Sequence, residues 1–110
     1  MVKYRDGEKM LDALGLPLRR SMVRRLWHGG AMSLSKLAAP YELTLPAALK
    51  HLRVLEDSGI VKSHKRGRVR VCIYNPSALK ELGGWLASHS AFWESSFDRF
   101  EAIINKKKKN

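Results

Sequence analysis

A short run of side chains after residue 43 combines a helix start with groups that bind nucleic acids. Thr44 suits a helix N-cap, because its hydroxyl can accept hydrogen bonds from the free amides of a first turn. Pro46 suits that same turn, where a missing N–H costs nothing. At about 100° per residue, one face of this helix is small, basic and hydrogen-bonding, and it consists of Pro46, Ala47, Lys50, His51, Arg53 and Val54. Such a face fits the major groove of DNA, although a basic face exposed only to solvent fits the pattern equally well.

The other face of the same helix is predicted to be its buried side. Its apolar residues fall within one sector: Leu45, Ala48, Leu49, Leu52 and Leu55. Gly59 is predicted to end the helix ahead of an apolar pair at residues 60–61. If the basic face meets DNA, we expect Lys50 and His51 to contact phosphates or base edges, and Ala47 to contact a thymine methyl group.

A second cluster of cations lies on a predicted β-hairpin after this helix. Residues 60–65 and 68–74 are predicted strands, joined by a turn at residues 66–67 in which a glycine supplies the positive φ. Alternation with a period of two sets Val69, Val71 and Ile73 against a wet face of Arg68, Arg70 and Cys72. Because residues 59–75 contain no acid, we expect the hairpin tip to lie along a phosphate backbone or in a minor groove. Its predicted DNA contacts are Lys65, Arg66 and Arg68, and the alternative is a charged edge that only protects the sheet.

Two helices are predicted ahead of these features. The first covers residues 8–14 after a polar, frayed start, and the second begins at Pro17 and stops at Gly29. The apolar stripe of the second helix is Leu18, Met22, Val23, Leu26 and Trp27. Four arginines lie off that stripe, either flanking the core in solvent or contacting backbone phosphates: Arg19, Arg20, Arg24 and Arg25.

The segment between the second helix and Thr44 is predicted to complete a helix-turn-helix. Residues 31–33 are a candidate strand, and Ser33 or Ser35 is expected to cap a helix that stops near Pro40. Two short helices joined this closely, the second with a basic outer face, make a helix-turn-helix.

The chain after residue 75 is predicted to form a long helix. Asn75-Pro76 ends the strand, and apolar and aromatic residues then recur at helical spacing from Ser77 to about Ile104. A stripe this long exceeds what one small core covers, so it is predicted to form a homodimer surface, or else to lie on the core of its own chain. The predicted interface residues are Leu86, His89, Trp93, Phe97 and Phe100. Residues 106–110 are expected to be a disordered basic tail.

Composition limits the class of protein and of partner. The 110 residues predict one domain, taken as residues 1–105. A formal net charge of +11 and a pI near 10.2 indicate a polyanionic partner, either nucleic acid or an acidic membrane surface. The single cysteine, Cys72, excludes a disulfide within the chain. No apolar run approaches the roughly 20 residues of a membrane span, and the start lacks a signal core, so we predict a cytoplasmic protein.

Residues that could do catalytic or metal chemistry lack the spacing that such chemistry needs. None of the four histidines has a carboxylate or nucleophile at a diagnostic distance in sequence, and no glycine-rich phosphate loop is present. Cys72 and His64 fall on opposite predicted strands and form no recognisable metal site. We therefore predict that the protein is no enzyme, with no catalytic residues, no metal site and no cofactor.

These features follow one another in the order of a winged helix-turn-helix, a mainly α-helical fold with a two-stranded β-hairpin wing and a long C-terminal dimerisation helix. Two segments, LPLRRSMVRRLWHGG and LSKLAAPYELTLPAALKHLRVLEDSGIVKSHKRGRVRVCIYNP, resemble the ArsR family of dimeric bacterial transcriptional regulators. The resemblance covers residues 14–104, and KHLRVLEDSGIV and KRGRVRVCIYNP are its most specific pieces. The ending WLASHSAFWESSFDRFEAII resembles a subgroup of the family without metal ligands.

The resemblance implies a homodimer, built on the first and last helices, that binds an inverted repeat in operator DNA, usually as a repressor. It also implies that one helix faces double-stranded DNA with Thr44, Pro46, Ala47, Lys50 and His51. Leu49 departs from the pattern, because the family often has a serine there. The family's Cys-x-Cys metal motif is absent from SLSKLAAPYEL, so a metal sensor is not implied. The alternative function is a winged-helix module that docks a protein or RNA without reading an operator.

Overall fold

The computed structural model describes the backbone of residues 2–88 and residue 102, and the side chains of residues 7–88 and 102. Within residues 2–88 it contains five α-helices and three strands. In chain order these are α1 (Val2–Leu14), α2 (Pro17–Gly29), β1 (Met32–Ser33), α3 (Leu34–Ala38), α4 (Leu45–Asp57), β2 (Val61–Arg66), β3 (Val69–Tyr74) and α5 (Pro76–Ser88). A short 3-10 helix at Ala39–Tyr41 follows α3. This mainly helical order, with a β2–β3 hairpin after α4, is a winged helix-turn-helix.

Helix α1 is longer than its sequence pattern predicts. It begins at Val2, so the expectation of a frayed start over residues 1–7 is wrong for residues 2–7. The reason is a tertiary contact with α5: a Cβ added at Gly7 would lie 2.4 Å from Cγ of Trp85. Glycine therefore allows the indole to lie directly on the α1 backbone, and this contact is invisible to a pattern of apolar spacing.

The core is formed where the helices and the sheet meet. Fully buried side chains from six elements contribute to it: Met10, Met22, Leu26, Leu37, Leu52, Leu55, Val61 and Cys72. The predicted buried stripes are right except at their ends. Trp27 is 64% exposed at the end of α2, and Leu45 is 57% exposed at the start of α4. Val54, assigned to the outer face of α4, packs partly against the core.

The exposure of Leu45 follows from the shortness of α3. That helix has only five residues, and an open groove of about 180 Å³ lies between it and the start of α4. Leu45 and Ala48 both line this groove, but Ala48, one turn later, is 1% exposed.

The strands form one antiparallel sheet in the order β1-β3-β2. The predicted hairpin therefore has a third partner, because β1 pairs with β3 at Met32 and Cys72. The turn was predicted one residue too early: Arg66 pairs with Val69, which leaves Gly67 and Arg68 as the two-residue loop. Gly67 has a φ of +66°, as the first central position of a type II′ turn requires.

The predicted wet face of β3 is wrong for Cys72 and Arg70. Cys72, placed on the wet face, is fully buried, whereas Val69 on the opposite face is 48% exposed. Directly paired residues share a face of a sheet, so Ser63 and Cys72 lie together on the side that α2, α3 and α4 cover. The alternation itself is real, but which side meets the helices is decided by packing between elements that are distant in sequence.

Hydrogen bonds of Ser58 and Asn75 stabilise the end of α4 and the base of the hairpin. Ser58 ends α4 by donating from Oγ to Leu55 O at 2.6 Å, and the next residue, Gly59, has the positive φ of +83° that its position predicted. Asn75 joins the two ends of the hairpin, because its backbone N–H donates to Ile60 O at 2.8 Å and its side-chain Nδ2 to Gly59 O at 2.9 Å. None of the helices in the described ranges is both long and apolar enough to cross a membrane.

Candidate nucleic-acid interface

The helix-turn-helix is assembled by local hydrogen bonds that the sequence predicted. Ser33 caps α3 by accepting from the amide of Lys36 at 3.1 Å. Thr44 caps α4 by accepting from the amide of Ala47 at 3.3 Å. Between the two helices the chain reverses at Glu42, whose φ of 53° lies in the left-handed region. These caps fix where α4 begins and therefore which of its residues face outward.

The outer face of α4 presents the predicted contact residues together. Thr44, Pro46, Lys50 and Arg53 are exposed, and Ala47 and His51 are half-buried beside them. Leu49 packs partly against the core, as its place at the edge of the buried sector predicted. The face therefore offers two free cations, one imidazole and a small apolar residue within three turns of helix, and no acid among them.

His51 is held in a defined state by a neighbouring arginine. Its Nδ1 lies 3.5 Å from Nη1 of Arg19 on α2. The pKa of His51 is lowered from its ordinary value of 6.5, first by burial and then by the positive charges of Arg19 and Lys50. The imidazole is consequently neutral at pH 7. Because a guanidinium has only donors, this contact favours the tautomer in which Nδ1 accepts and Nε2 carries the proton.

Three of the four arginines of α2 have structural partners that sequence reasoning missed. Arg19 donates from Nε to Ala13 O at 2.7 Å and from Nη2 to Asp12 O at 3.2 Å, and Arg20 donates to Leu14 O. Arg25 donates to Lys36 O at 3.0 Å. Both alternatives weighed for these residues, a solvated flank and a phosphate contact, are therefore incomplete. The available signal was the set of unpaired carbonyls that every helix C-terminus carries.

The cations of the β2–β3 hairpin, here called the wing, surround its tip. Lys65, Arg66 and Arg68 are all exposed. Lys65 pairs with Arg70 and Arg66 with Val69, so these neighbours project from opposite faces of the sheet, and Arg68 lies in the turn. The tip thus carries positive charge in several directions and suits a phosphate backbone better than a single base edge.

A polar bridge fixes the base of the wing to α4. Ser63 donates to Oε2 of Glu56 at 3.0 Å, and Arg70 Nη1 donates to Ser63 Oγ at 2.9 Å. The bridge spans α4, β2 and β3, and it explains how a cation is accommodated on the covered face of β3. Arg70, predicted to be on the wet face, is therefore engaged with protein groups.

The candidate reactive residue, Cys72, is a poor nucleophile at neutral pH. Its side chain is fully buried, and burial followed by the charge of Glu56 raises the pKa of the thiol from 9.0 to about 11. A thiolate is the nucleophile and metal ligand, so the reactive form is scarce at neutral pH. In the part of the chain that the structure describes, no three His, Cys, Asp or Glu side chains come together as a metal site.

The predicted dimer interface is only partly visible. Leu86 lies on α5 and is 41% exposed. His89, Trp93, Phe97 and Phe100 lie outside the described residues. Leu11 on α1, the helix that packs against α5, is also exposed. These two leucines give apolar surface to the side of the molecule formed by the first helix and α5.

Comparison with known proteins identifies relatives of the whole fold. The sequence family described as a helix-turn-helix domain matches residues 14–64. The chain is 36% identical over 88 residues to the uncharacterised HTH-type transcriptional regulator YuzN of Bacillus subtilis, covering 74% of this chain and 96% of the relative. It is 30% identical over 105 residues to the HTH-type transcriptional regulator Rv2034 of Mycobacterium tuberculosis, covering 96% and 94%. A crystal structure of an ArsR family transcriptional regulator, RHA00566, superposes with a TM-score of 0.73 at 37% identity, covering 83% of this chain and 93% of the other.

Proposed function

Because this chain belongs to the ArsR family of helix-turn-helix transcriptional regulators, we propose that it is a homodimeric repressor that binds an inverted repeat in operator DNA. One observation carries the proposal: the exposed basic face of α4 lies next to a wing with an exposed cationic tip. A helix of this size fits the major groove, and a basic hairpin beside it reaches the adjacent backbone. We call α4 the recognition helix from here on.

The recognition helix supplies the groups for reading bases. Lys50 and Arg53 are exposed donors, and Lys or Arg to guanine is the commonest specific contact in the major groove. Ala47, beside the helix start, is small enough to let a thymine methyl group approach. Thr44 and Pro46 lie at the end of the helix that enters the groove first, and Thr44 is exposed although its hydroxyl also caps the helix.

The wing supplies sequence-independent attraction. Lys65, Arg66 and Arg68 are long cations whose charges surround the hairpin tip, and phosphate contacts of this kind position a protein without reading sequence. The net charge of +11 supports the same role, since released counterions provide much of the affinity of DNA-binding proteins. We take residues 1–105 as one DNA-binding domain and residues 106–110 as a basic tail that adds non-specific attraction.

A two-fold symmetric dimer would match the symmetry of an inverted repeat. A two-fold axis that joins α1 and α5 of two copies would cover Leu11 and Leu86 and place two recognition helices about one DNA turn apart, roughly 34 Å. Trp93→Asp is expected to give monomers in sedimentation velocity. Trp27→Asp is the matched control, because Trp27 is exposed at the end of α2 beside Tyr74. A dimer that persists in Trp93→Asp and Phe97→Asp would place the interface elsewhere.

The decisive experiment is selection of bound sequences from a random duplex pool by the purified chain. The expected result is an enriched motif with two half-sites related by inversion. Enrichment of a single half-site would remove the dimeric operator from the proposal while leaving DNA reading in place. Failure to bind random duplex even at low salt would contradict DNA binding and favour a module that docks a protein or RNA. A reporter controlled by the enriched sequence then distinguishes repression from activation.

A further inference from the structure

Arg19 lies where α1, α2 and the recognition helix meet. Two of its nitrogens donate to backbone carbonyls at the end of α1, Nε to Ala13 O at 2.7 Å and Nη2 to Asp12 O at 3.2 Å. The third nitrogen, Nη1, lies 3.5 Å from Nδ1 of His51. A planar guanidinium anchored at two points cannot rotate freely, so the position of its third nitrogen is set by the backbone of α1.

This arrangement determines what His51 can offer to DNA. Facing a group that only donates favours the tautomer in which Nδ1 accepts and Nε2 carries the proton of the neutral ring. Burial and the charges of Arg19 and Lys50 keep the ring neutral by lowering its pKa. A histidine fixed in this way presents one N–H donor, whereas an unrestrained ring presents either tautomer or the doubly protonated form.

We propose that Arg19 is a positioning residue for base recognition: it holds His51 in the tautomer whose Nε2–H donates to an acceptor on a base edge, and so sets the preference at one operator position. The inference rests on the proposed function, because it requires that the recognition helix enters the major groove. Guanine, adenine and thymine all carry major-groove acceptors, whereas cytosine presents an amino donor there. The strand that faces His51 is therefore expected to disfavour cytosine at this position.

Arg20 provides the internal control for a purely structural role. It is the next residue of α2, and it also donates to a carbonyl at the end of α1, Leu14 O. Its side chain bonds to that carbonyl, and of the two arginines Arg19 is the one that approaches His51. If tying α1 to α2 were all that Arg19 does, Arg19→Gln and Arg20→Gln would have the same effect on DNA binding.

The test compares motifs selected from a random duplex pool by the full chain and by its His51→Ala, Arg19→Gln and Arg20→Gln variants. We expect His51→Ala to lose the preference at one position. Arg19→Gln should reduce that same preference about three- to tenfold, the value of one hydrogen bond, while Arg20→Gln keeps it. The proposal is overturned if Arg19→Gln retains the preference, if His51→Ala loses none, or if both arginine variants lose all positions alike.

Two further measurements keep the outcome decisive. Nitrogen chemical shifts of His51 should show the Nε2–H tautomer in the wild type and in Arg20→Gln, and a tautomer mixture in Arg19→Gln, with no DNA present. If Arg19→Gln does not fold, Arg19→Lys replaces it, because one ammonium cannot span the three acceptors, and retention of the preference there overturns the proposal. A wild-type chain that enriches no motif contradicts the proposed function itself, whereas the tautomer still reports on Arg19 and His51.

Discussion

The recognition helix and the wing both present cations, but the structure holds them in different ways. Lys50 and His51 project from a helix that is capped at Thr44 and anchored by fully buried Leu52. The wing is fixed at its base by Ser63 and its partners, and its cationic tip extends beyond those contacts. Precise placement suits the reading of bases, and mobile long side chains suit attraction to phosphates. The number of cations in an element therefore says less about specificity than the contacts that hold them.

The largest effect is expected from removing the anchor of the recognition helix. Leu52→Ala leaves a cavity in a fully buried site and should lower the free energy of unfolding by about 2–5 kcal/mol. Leu45→Ala is the control on the same helix, because Leu45 is largely exposed, and it should cost less than about 1 kcal/mol. Urea denaturation measures both. Equal losses would mean that the helix is not held by its buried face.

A smaller effect is expected at the start of the recognition helix. Thr44→Ala removes the oxygen that accepts from the amide of Ala47 and should cost about 1 kcal/mol of stability. Because the cap also fixes the first turn, affinity for the selected operator should fall while the salt dependence of binding stays unchanged. Thr44→Ser keeps the hydroxyl and should behave like the wild type in both assays. A changed salt dependence in Thr44→Ala would assign this residue a phosphate contact instead.

At the wing, the expected loss is independent of sequence. Arg66→Ala should reduce the slope of log K against log salt by about one unit, as for one phosphate contact, and should weaken the operator and unrelated duplexes alike. Lys9→Ala removes the same charge from an exposed position on α1 and should leave the slope unaltered. Lys50→Ala sharpens the contrast, since it is expected to change the ranking of sequences. An Arg66→Ala variant with an unchanged slope would refute the phosphate contact.

The smallest functional effect is expected on the covered face of the wing. With a pKa raised from 9.0 to about 11, the thiolate fraction of Cys72 at pH 8 drops from about a tenth to about a thousandth. Iodoacetamide should therefore label the native protein at least about tenfold more slowly than the urea-unfolded chain, and mild oxidant should not change DNA affinity. Equal labelling rates would contradict the burial of Cys72 and return it to the wet face.

Local rules of sequence predicted the ends of elements well. Thr44, Ser33 and Pro17 begin helices as expected, because caps and proline act within one turn of chain. Gly59 and Gly67 adopt the positive φ that their turns require. The winged helix-turn-helix order followed from these signals together with the change of hydrophobic period.

Features that depend on distant packing were the ones predicted wrongly. The early start of α1 depends on an indole that lies against Gly7. The orientation of β3 depends on which side of the sheet the helices cover. Arg70 lies on the covered side, and its charge led to the wrong prediction that this side faces solvent. At the candidate site, the exposure of Lys50 and Arg53 could be read from a helical wheel. The role of Arg19 could not, because its partners are carbonyls of another helix and a histidine 32 residues away.

Asn75 separates changes at the wing tip from the rest of the domain. Its two hydrogen bonds join the end of β3 to the residues just before β2. The two strands of the wing are therefore tied together at the base of the hairpin. Gly67 and Arg68 lie at the other end of the hairpin, so changes of length or charge there are far from these hydrogen bonds and from the helix-turn-helix. We therefore expect that substitutions at the wing tip change the affinity for DNA while the recognition helix keeps its place.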